Sequence, residues 1–161
     1  MGTRASRSSR RTSSGTLADL LDVRIARSEQ ELTAALDLRE RVFCGEQGVS
    51  PAADRDGRDP EATHIVALEH GRVLGTCRLL FRGPTARLGR LAVEPDARGR
   101  GVAGAILGEA TRVARAARAE RISLHAQTYA QDLYVRDGYE LAGEPFEEEG
   151  IEHVAMEKRL A

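Results

Sequence analysis

The chain has 161 residues, 41% of them apolar and 30% charged, enough for one globular domain with a real core. Aromatic content is 4% with no Trp, and 24 basic residues face 25 acidic ones, so base stacking and a basic nucleic-acid surface are both disfavoured. No run approaches the ~20 apolar residues needed to cross a bilayer, so neither nucleic acid nor membrane is expected as a partner.

The charge is uneven. Residues 1–18 hold Arg4, Arg7, Arg10 and Arg11 and no acid, which leaves 20 basic against 25 acidic residues, a balance of −5, in the remainder. This Ser/Arg/Thr-rich start is aperiodic and reads as a disordered basic tail ahead of a single domain over 19–161. It has no apolar run of the secretory kind. Cys44 and Cys77 stand far apart in no metal spacing, as reduced thiols of a cytoplasmic protein.

Along the chain, DVRIA (22–26) alternates and reads as a strand. Ser28 followed by Glu31 makes a capping box. Leu32, Ala35, Leu36, Arg39, Val42 and Phe43 then recur on one face of a helix. Residues 45–60 are rich in Gly, Pro and Asp and read as a long irregular connection of the kind that lines sites. Strands over 64–69 and 73–81 flank Gly71 as a hairpin, and 86–93 continues the meander after a turn at Gly83-Pro84. A helix over 101–119 follows, with a buried face expected from Val102, Ala105, Ile106, Val113 and Ala117. ISLHA (122–126) returns as a parallel strand. A helix over 128–136 stops at Gly138, a strand starts at 139–141, FEEEG (146–150) turns, and IEHVAME (151–157) closes the sheet. One βαβ unit among antiparallel strands means a mixed α/β domain, not a doubly wound nucleotide fold.

The organising stretch is RLAVEPDARGRGVAGAIL (90–107): an alternating strand, a Pro turn, an arginine–glycine loop and a helix of small residues. Successive N–H groups at a helix start, aided by the helix dipole, can face a pyrophosphate. Gly99 and Gly101 permit unusual backbone angles, and Gly104 keeps the first helical turn bare. Arg98 and Arg100 can add charge-assisted contacts. Glycine spacing alone supports an ordinary turn with solvated arginines equally well. GRGVAG lacks the Lys and Ser/Thr of a Walker A loop. It matches G-x-G-x-x-G spacing, but without the repeated βαβ context of a dinucleotide fold.

Beyond spacing, VEPDARGRGVAGAIL resembles the acetyl-CoA-binding motif of the GNAT superfamily of N-acetyltransferases. AQTYAQDLYVRDGYE resembles the same family's second cofactor segment, with Gln127 where Asn is usual and with Tyr134 and Gly138-Tyr139 matching. RERVFCGEQGV, EATHIVALEHGRVLGTCRLLF and FEEEGIEHVAM are similar to the small, bacterial ElaA-like branch. The resemblance spans roughly residues 22–158. It implies a GNAT-like acyl-CoA N-acyltransferase fold: a splayed, largely antiparallel central sheet flanked by helices. It implies acetyl-CoA as co-substrate, without a metal. The backbone of Leu91, Ala92 and Val93 would pair with the pantetheine arm. Arg98, Gly99, Arg100, Gly101, Val102, Ala103 and Gly104 would hold the pyrophosphate, with Gln127 as a further cofactor contact. Val93 N–H would polarise the thioester. The implied reaction is direct acetyl transfer to a primary amine of a small molecule or peptide. A non-catalytic acyl-CoA-binding module on the same fold is the alternative.

Such a reaction needs a proton acceptor for the amine and a donor for the departing thiolate. Tyr134 resembles the family's thiol-protonating tyrosine; otherwise it is a core or rim phenol. Glu46 after the first helix and His153 on the last strand are the base candidates, against roles as a solvated acid and a half-buried histidine. Three residues are candidate acceptor contacts. Arg39 lies on an apolar helix face and either pairs with an acid or binds an acidic part of the acceptor. His64 opens a strand. Arg90 alternates with Leu91 and is expected to point opposite to it, into solvent or toward the acceptor. The dispersed histidines and DRDGRDPE offer no zinc or calcium spacing. Cys44, beside Val42-Phe43, reads as packing, so covalent relay is disfavoured. Homodimerisation is left open.

Overall fold

The computed structural model describes residues 20–160, so the basic segment expected over 1–18 lies outside the described residues. Strand β1 (Asp22–Ile25) leads to helix α1 (Glu29–Arg39). Ser28 Oγ accepts from Glu31 N–H at 3.1 Å, as the capping box requires. The reciprocal arm differs, because Glu31 accepts from Arg27 N–H (2.8 Å) and from the Arg24 fork (2.7 and 2.9 Å). The first helix does not end at Arg39. It continues as a wide π-turn over Glu40–Glu46, a form that recurs at functional sites.

The 45–60 connection is less irregular than its composition suggests. Ser50 caps a single-turn helix α2 (Pro51–Asp54), and Asp59–Glu61 adds a 3₁₀ turn. Strands β2 (Thr63–Glu69), β3 (Arg72–Arg82) and β4 (Thr85–Val93) form the antiparallel meander, with His70 and Gly71 both at positive φ in the first hairpin. Helix α3 (Val102–Ala116) crosses to β5 (Arg121–Gln127). A 3₁₀ turn (Thr128–Ala130) and helix α4 (Gln131–Arg136) follow, closed by Gly138 at φ 96°. Strands β6 (Glu140–Leu141), β7 (Phe146–Glu148) and β8 (Ile151–Arg159) end the sheet. The segment 146–150, expected as a turn, is mostly strand β7; only Glu149 and Gly150 turn, both at positive φ.

The sheet order is β1-β2-β3-β4-β5-β8-β6, with β7 also on β8. Strand β2 is buried on both faces. Ile65 and Ala67 join the core under α3, whereas Val66 and Leu68 join the core under α1 with Ala35, Leu38 and Val42. Helix α3 buries Val102, Ile106, Leu107, Ala110, Thr111, Val113 and Ala114, so its apolar stripe is broader than expected and excludes Ala117, which is exposed. It rides close to the sheet because Gly75 of β3 has no side chain. A Cβ there would sit 2.6 Å from Ile106 Cδ1 and 3.0 Å from Val102 Cγ1.

Two irregularities of β4 open a gap in the sheet. Parallel pairing with β5 covers only Thr85–Arg87 against Arg121–Ser123; beyond that the strands part. The register against β3 slips between Thr76↔Ala92 and Arg78↔Gly89, so β4 carries an extra residue there. Arg90, within this bulge, has φ 56°. A bulge bends its strand and raises the local twist, which turns β4 away from β5.

Candidate functional site

The split between β4 and β5 opens into a cavity of about 490 Å³. One wall is the Leu88–Val93 backbone; the other is Leu124, His125 and Gln127, with Ala130, Leu133 and Tyr134 below and the β7–β8 hairpin at the rim. Glu94 N–H donates to Leu74 O at 2.8 Å. Strand alternation therefore turns Val93 N–H away from β3 and into the gap. Val93 O, on the same side, accepts from Arg98 Nε at 3.1 Å.

Beyond Val93 the chain makes a 3₁₀ turn (Pro95–Ala97) and reaches the glycine loop. Gly99 (φ 75°) and Gly101 (φ 86°) adopt the left-handed conformation that a side chain resists. The first return bond of α3 is Ala105 N–H to Gly101 O (3.1 Å), so Val102, Ala103 and Gly104 present N–H groups with no backbone acceptor among the described residues. Val102 aims its side chain into the core and offers only its N–H, while a Cβ on Gly104 would meet nothing. This bare helix start fits a pyrophosphate. Arg98 and Ala103 border the cavity itself, and Gly99, Arg100, Gly101 and Gly104 lie exposed beyond it.

Tyr134 is 7% exposed, set edge-on to Tyr139 at 5.8 Å, and no hydrogen bond from its hydroxyl is present among the described residues. Burial pushes its phenol well above the ordinary tyrosine range, with smaller contributions from Cys77 and Tyr129. It is thus a hydrogen-bond donor at the cavity floor across the physiological range. His153 on β8 donates from Nδ1 to Ile151 O (2.7 Å), since a carbonyl can only accept. In the neutral ring, Nε2 is then an acceptor, with Glu148 Oε2 3.8 Å away. Phe146 stacks on the same ring at 6.0 Å. Glu46 also borders the cavity, but Arg98 Nη2 holds both its oxygens, at 2.8 and 3.1 Å. Gln127 donates to Gln47 (2.6 Å) and Gln47 to the Tyr129 hydroxyl (3.3 Å), which joins the π-turn to the far side of the gap.

Two of the expected acceptor contacts lie outside the cavity, and Arg39 takes the acid-pairing alternative. Arg39 is 1% exposed and does not reach the cavity; it binds Asp59 Oδ1 (2.6 Å), Asp54 O (2.9 Å) and Asp54 Oδ1 (3.3 Å). An apolar helix face tolerates the cation because the 54–59 loop folds over it with carboxylates. His64 is buried outside the cavity with Nε2 2.9 Å from Asp59 O, a loop-fixing bond. Arg90 does line the cavity, as does Leu91: the bulge cancels the alternation that would have set them on opposite faces.

The composition of the wall was only partly anticipated. His125 and Glu148 (3.3 Å apart), Arg87, Gln47 and Tyr129 also belong to it. His125 could have been read from its alternation between Leu124 and Ala126. Glu148 could not, because FEEEG looks like a turn until β8 pairs with it. The thiols take no part: neither borders the cavity, and burial holds Cys77 at about 12 and raises Cys44. Among the described residues no cluster of three or more His, Cys, Asp or Glu could hold a metal.

A sheet split beside a bare helix start, with a buried phenol below, defines an acyltransferase-like site. The acetyltransferase (GNAT) domain family matches residues 25–160, and the chain belongs to that family. The uncharacterised N-acetyltransferase YjcF of Bacillus subtilis is 33% identical over 135 residues, 83% of this chain and 96% of its own. Among solved structures, an acyl-CoA N-acyltransferase from Pseudomonas aeruginosa is 28% identical with a TM-score of 0.75, over 86% of this chain and 98% of that one. Escherichia coli ElaA is 25% identical with a TM-score of 0.77, over 86% and 99%. The chain is thus a GNAT-family protein with acetyltransferase chemistry in general terms and an acyl-CoA-binding fold.

Proposed function

We propose that the protein is an acetyl-CoA-dependent N-acetyltransferase of the ElaA-like branch, acting by direct transfer on a primary amine. The likeness to ElaA over nearly the whole chain supports the branch. The observation that carries the activity is the cavity between β4 and β5, with Val93 N–H on one wall and the Tyr134 phenol on its floor.

The N–H groups of Val102, Ala103 and Gly104, with Arg100, would hold the pyrophosphate at the positive end of α3. The outward edge of Leu91–Val93 would pair the pantetheine arm as an added strand. When bound, acetyl-CoA supplies an activated acyl group. Val93 N–H then offers its carbonyl oxygen a fixed donor where negative charge develops. His153 Nε2 is the better-placed base, since its Nδ1 proton is already committed to Ile151 and Glu148 can steady the imidazolium. Glu46 is engaged by Arg98 and is read as a positioning residue for that arginine. Tyr134 stabilises the departing sulfur chiefly as a donor, because its raised phenol gives up the proton less readily than an exposed tyrosine.

The test is release of free thiol from acetyl-CoA across a broad panel of primary amines. Amine-dependent release with a matching acetylated product is expected. CoA binding with no release on any amine would favour a sensing module instead.

A further inference from the structure

Arg90 is the one non-glycine residue among the described residues that holds a positive φ inside a strand; His70, Arg118 and Glu149 lie in turns. Such a conformation persists where surrounding structure imposes it, and it concentrates at functional sites. Its result here is local and visible: the bulge swings the Arg90 side chain into the same cavity that Leu91 borders.

The guanidinium is anchored but not used up. Nε donates to the Asp54 carbonyl (3.3 Å), Nη2 donates to the Ala53 carbonyl (2.9 Å) and to Asp56 Oδ2 (3.3 Å), and Nε also pairs with Asp54 Oδ1 at 3.5 Å. No hydrogen bond from Nη1 is present among the described residues. The neighbouring aspartates are shared among three arginines: Asp54 and Asp59 pair with Arg39, Asp56 and Asp59 with Arg78, and Asp54 and Asp56 with Arg90 as well. Arg78, on the same wall, keeps a buried Nε without a partner. Burial, and then repulsion from Arg78, lowers the Arg90 pKa against the opposing pull of Asp56 and Asp54. An arginine fork with a free edge in a half-closed pocket is a carboxylate receptor.

We propose that the acceptor is a primary amine that also carries a carboxylate, an amino acid in chemical class, and that Arg90 binds that carboxylate through Nη1. This rests on the acetyltransferase reading. Arg90 immediately precedes Leu91, at about 3.3 Å of strand per residue. A carboxylate on its fork would leave an amine two or three bonds away inside the cavity that Leu91 and Val93 also border. The Asp54 and Ala53 carbonyls fix the fork's orientation, so loss of charge and loss of fork geometry are separable by substitution.

The experiment compares paired acceptors, each amino acid against its carboxamide and its decarboxylated amine, by thiol release in wild type, Arg90→Gln and Arg90→Lys. In wild type the carboxylate member is expected to show at least a tenfold higher kcat/KM. Arg90→Gln is expected to erase that ratio, mainly through the acceptor's KM, with the KM for acetyl-CoA unchanged. Arg90→Lys should retain part of it, and carries the comparison alone if Arg90→Gln does not fold. Equal rates within wild-type pairs, or a ratio untouched by the substitution, overturns the proposal while leaving the acetyltransferase reading intact. If no amine gives thiol release, that reading fails and the carboxylate site is tested by melting temperature with N-acetyl amino acids and CoA. A rise in wild type absent from Arg90→Gln supports the site; equal behaviour of the two proteins overturns it.

Discussion

In the proposed reaction Tyr134 and His153 would divide the proton chemistry of the cavity between them, and each can be replaced with little change of shape. Tyr134→Phe is expected to lower kcat about 10²-fold while acetyl-CoA affinity stays within about twofold, measured by steady-state kinetics and CoA titration. Because burial raises the phenol, wild-type turnover should show no alkaline loss from tyrosine ionisation up to the ordinary tyrosine range. A fall beginning near pH 8 in wild type but missing in the Phe variant would contradict this. His153→Gln should lower kcat by about 10² with the same split. Arg39 is a contrasting residue, because it serves the loop and not the cavity. Arg39→Met takes from the buried Asp54 carboxylate the guanidinium that hydrogen-bonds it and is expected to cost about 3–5 kcal/mol in denaturant unfolding.

At the scale of elements, the β4 bulge and the start of α3 each solve a local conflict. Strand β4 must pair with β3 along its length yet leave β5, and one extra residue bends it without breaking the meander. Helix α3 must pack tightly on the sheet and, if it holds the proposed pyrophosphate, leave its first turn bare. Gly75 satisfies the first demand and Gly104 the second. Gly104 is therefore a place where stability and function oppose each other. Gly104→Ala should stabilise the fold by up to about 1 kcal/mol, since alanine is the better helix former and its Cβ meets nothing. It should at the same time weaken CoA binding about tenfold, because the methyl projects where the ligand would lie. Calorimetric titration beside a thermal melt reads both signs.

For the whole molecule, the loop between the π-turn and β2 is held to the sheet by charge instead of apolar packing. Arg39, Arg78 and Arg90 meet Asp54, Asp56 and Asp59 in one connected network. The Arg78 fork holds the Asp56 carboxyl well below the usual aspartate range. Asp59 is lowered as well, its pairing with Arg39 and Arg78 outweighing the larger opposing effect of burial. A depressed acid contributes stability that is fully present above its unfolded pKa of about 4 and is lost as pH falls through the folded value. The melting temperature should thus be level near neutrality and drop below about pH 4, with a shallower drop in Asp56→Asn. Identical pH profiles for the two proteins would remove the network from the acid response.

Helix and strand positions were legible from periodicity, as was the glycine loop, because those signals are local: apolar spacing, a Ser–Glu cap, glycines before a small-residue helix. The reading of that loop as a cofactor site came from its resemblance to the acetyl-CoA-binding motif, since its spacing alone fits an ordinary turn equally well. The acceptor half was not local. Whether Arg39 met an acid or a ligand depended on where the 54–59 loop folded. Which way Arg90 faced depended on a bulge that shows only against β3. Glu148 reached His125 and His153 only once β7 paired with β8. The sequence by itself determined the family's fold and a glycine loop ahead of a small-residue helix. Tertiary structure alone decided which charges are spent on one another, because a charge's partner is set by distance in space and not by separation along the chain.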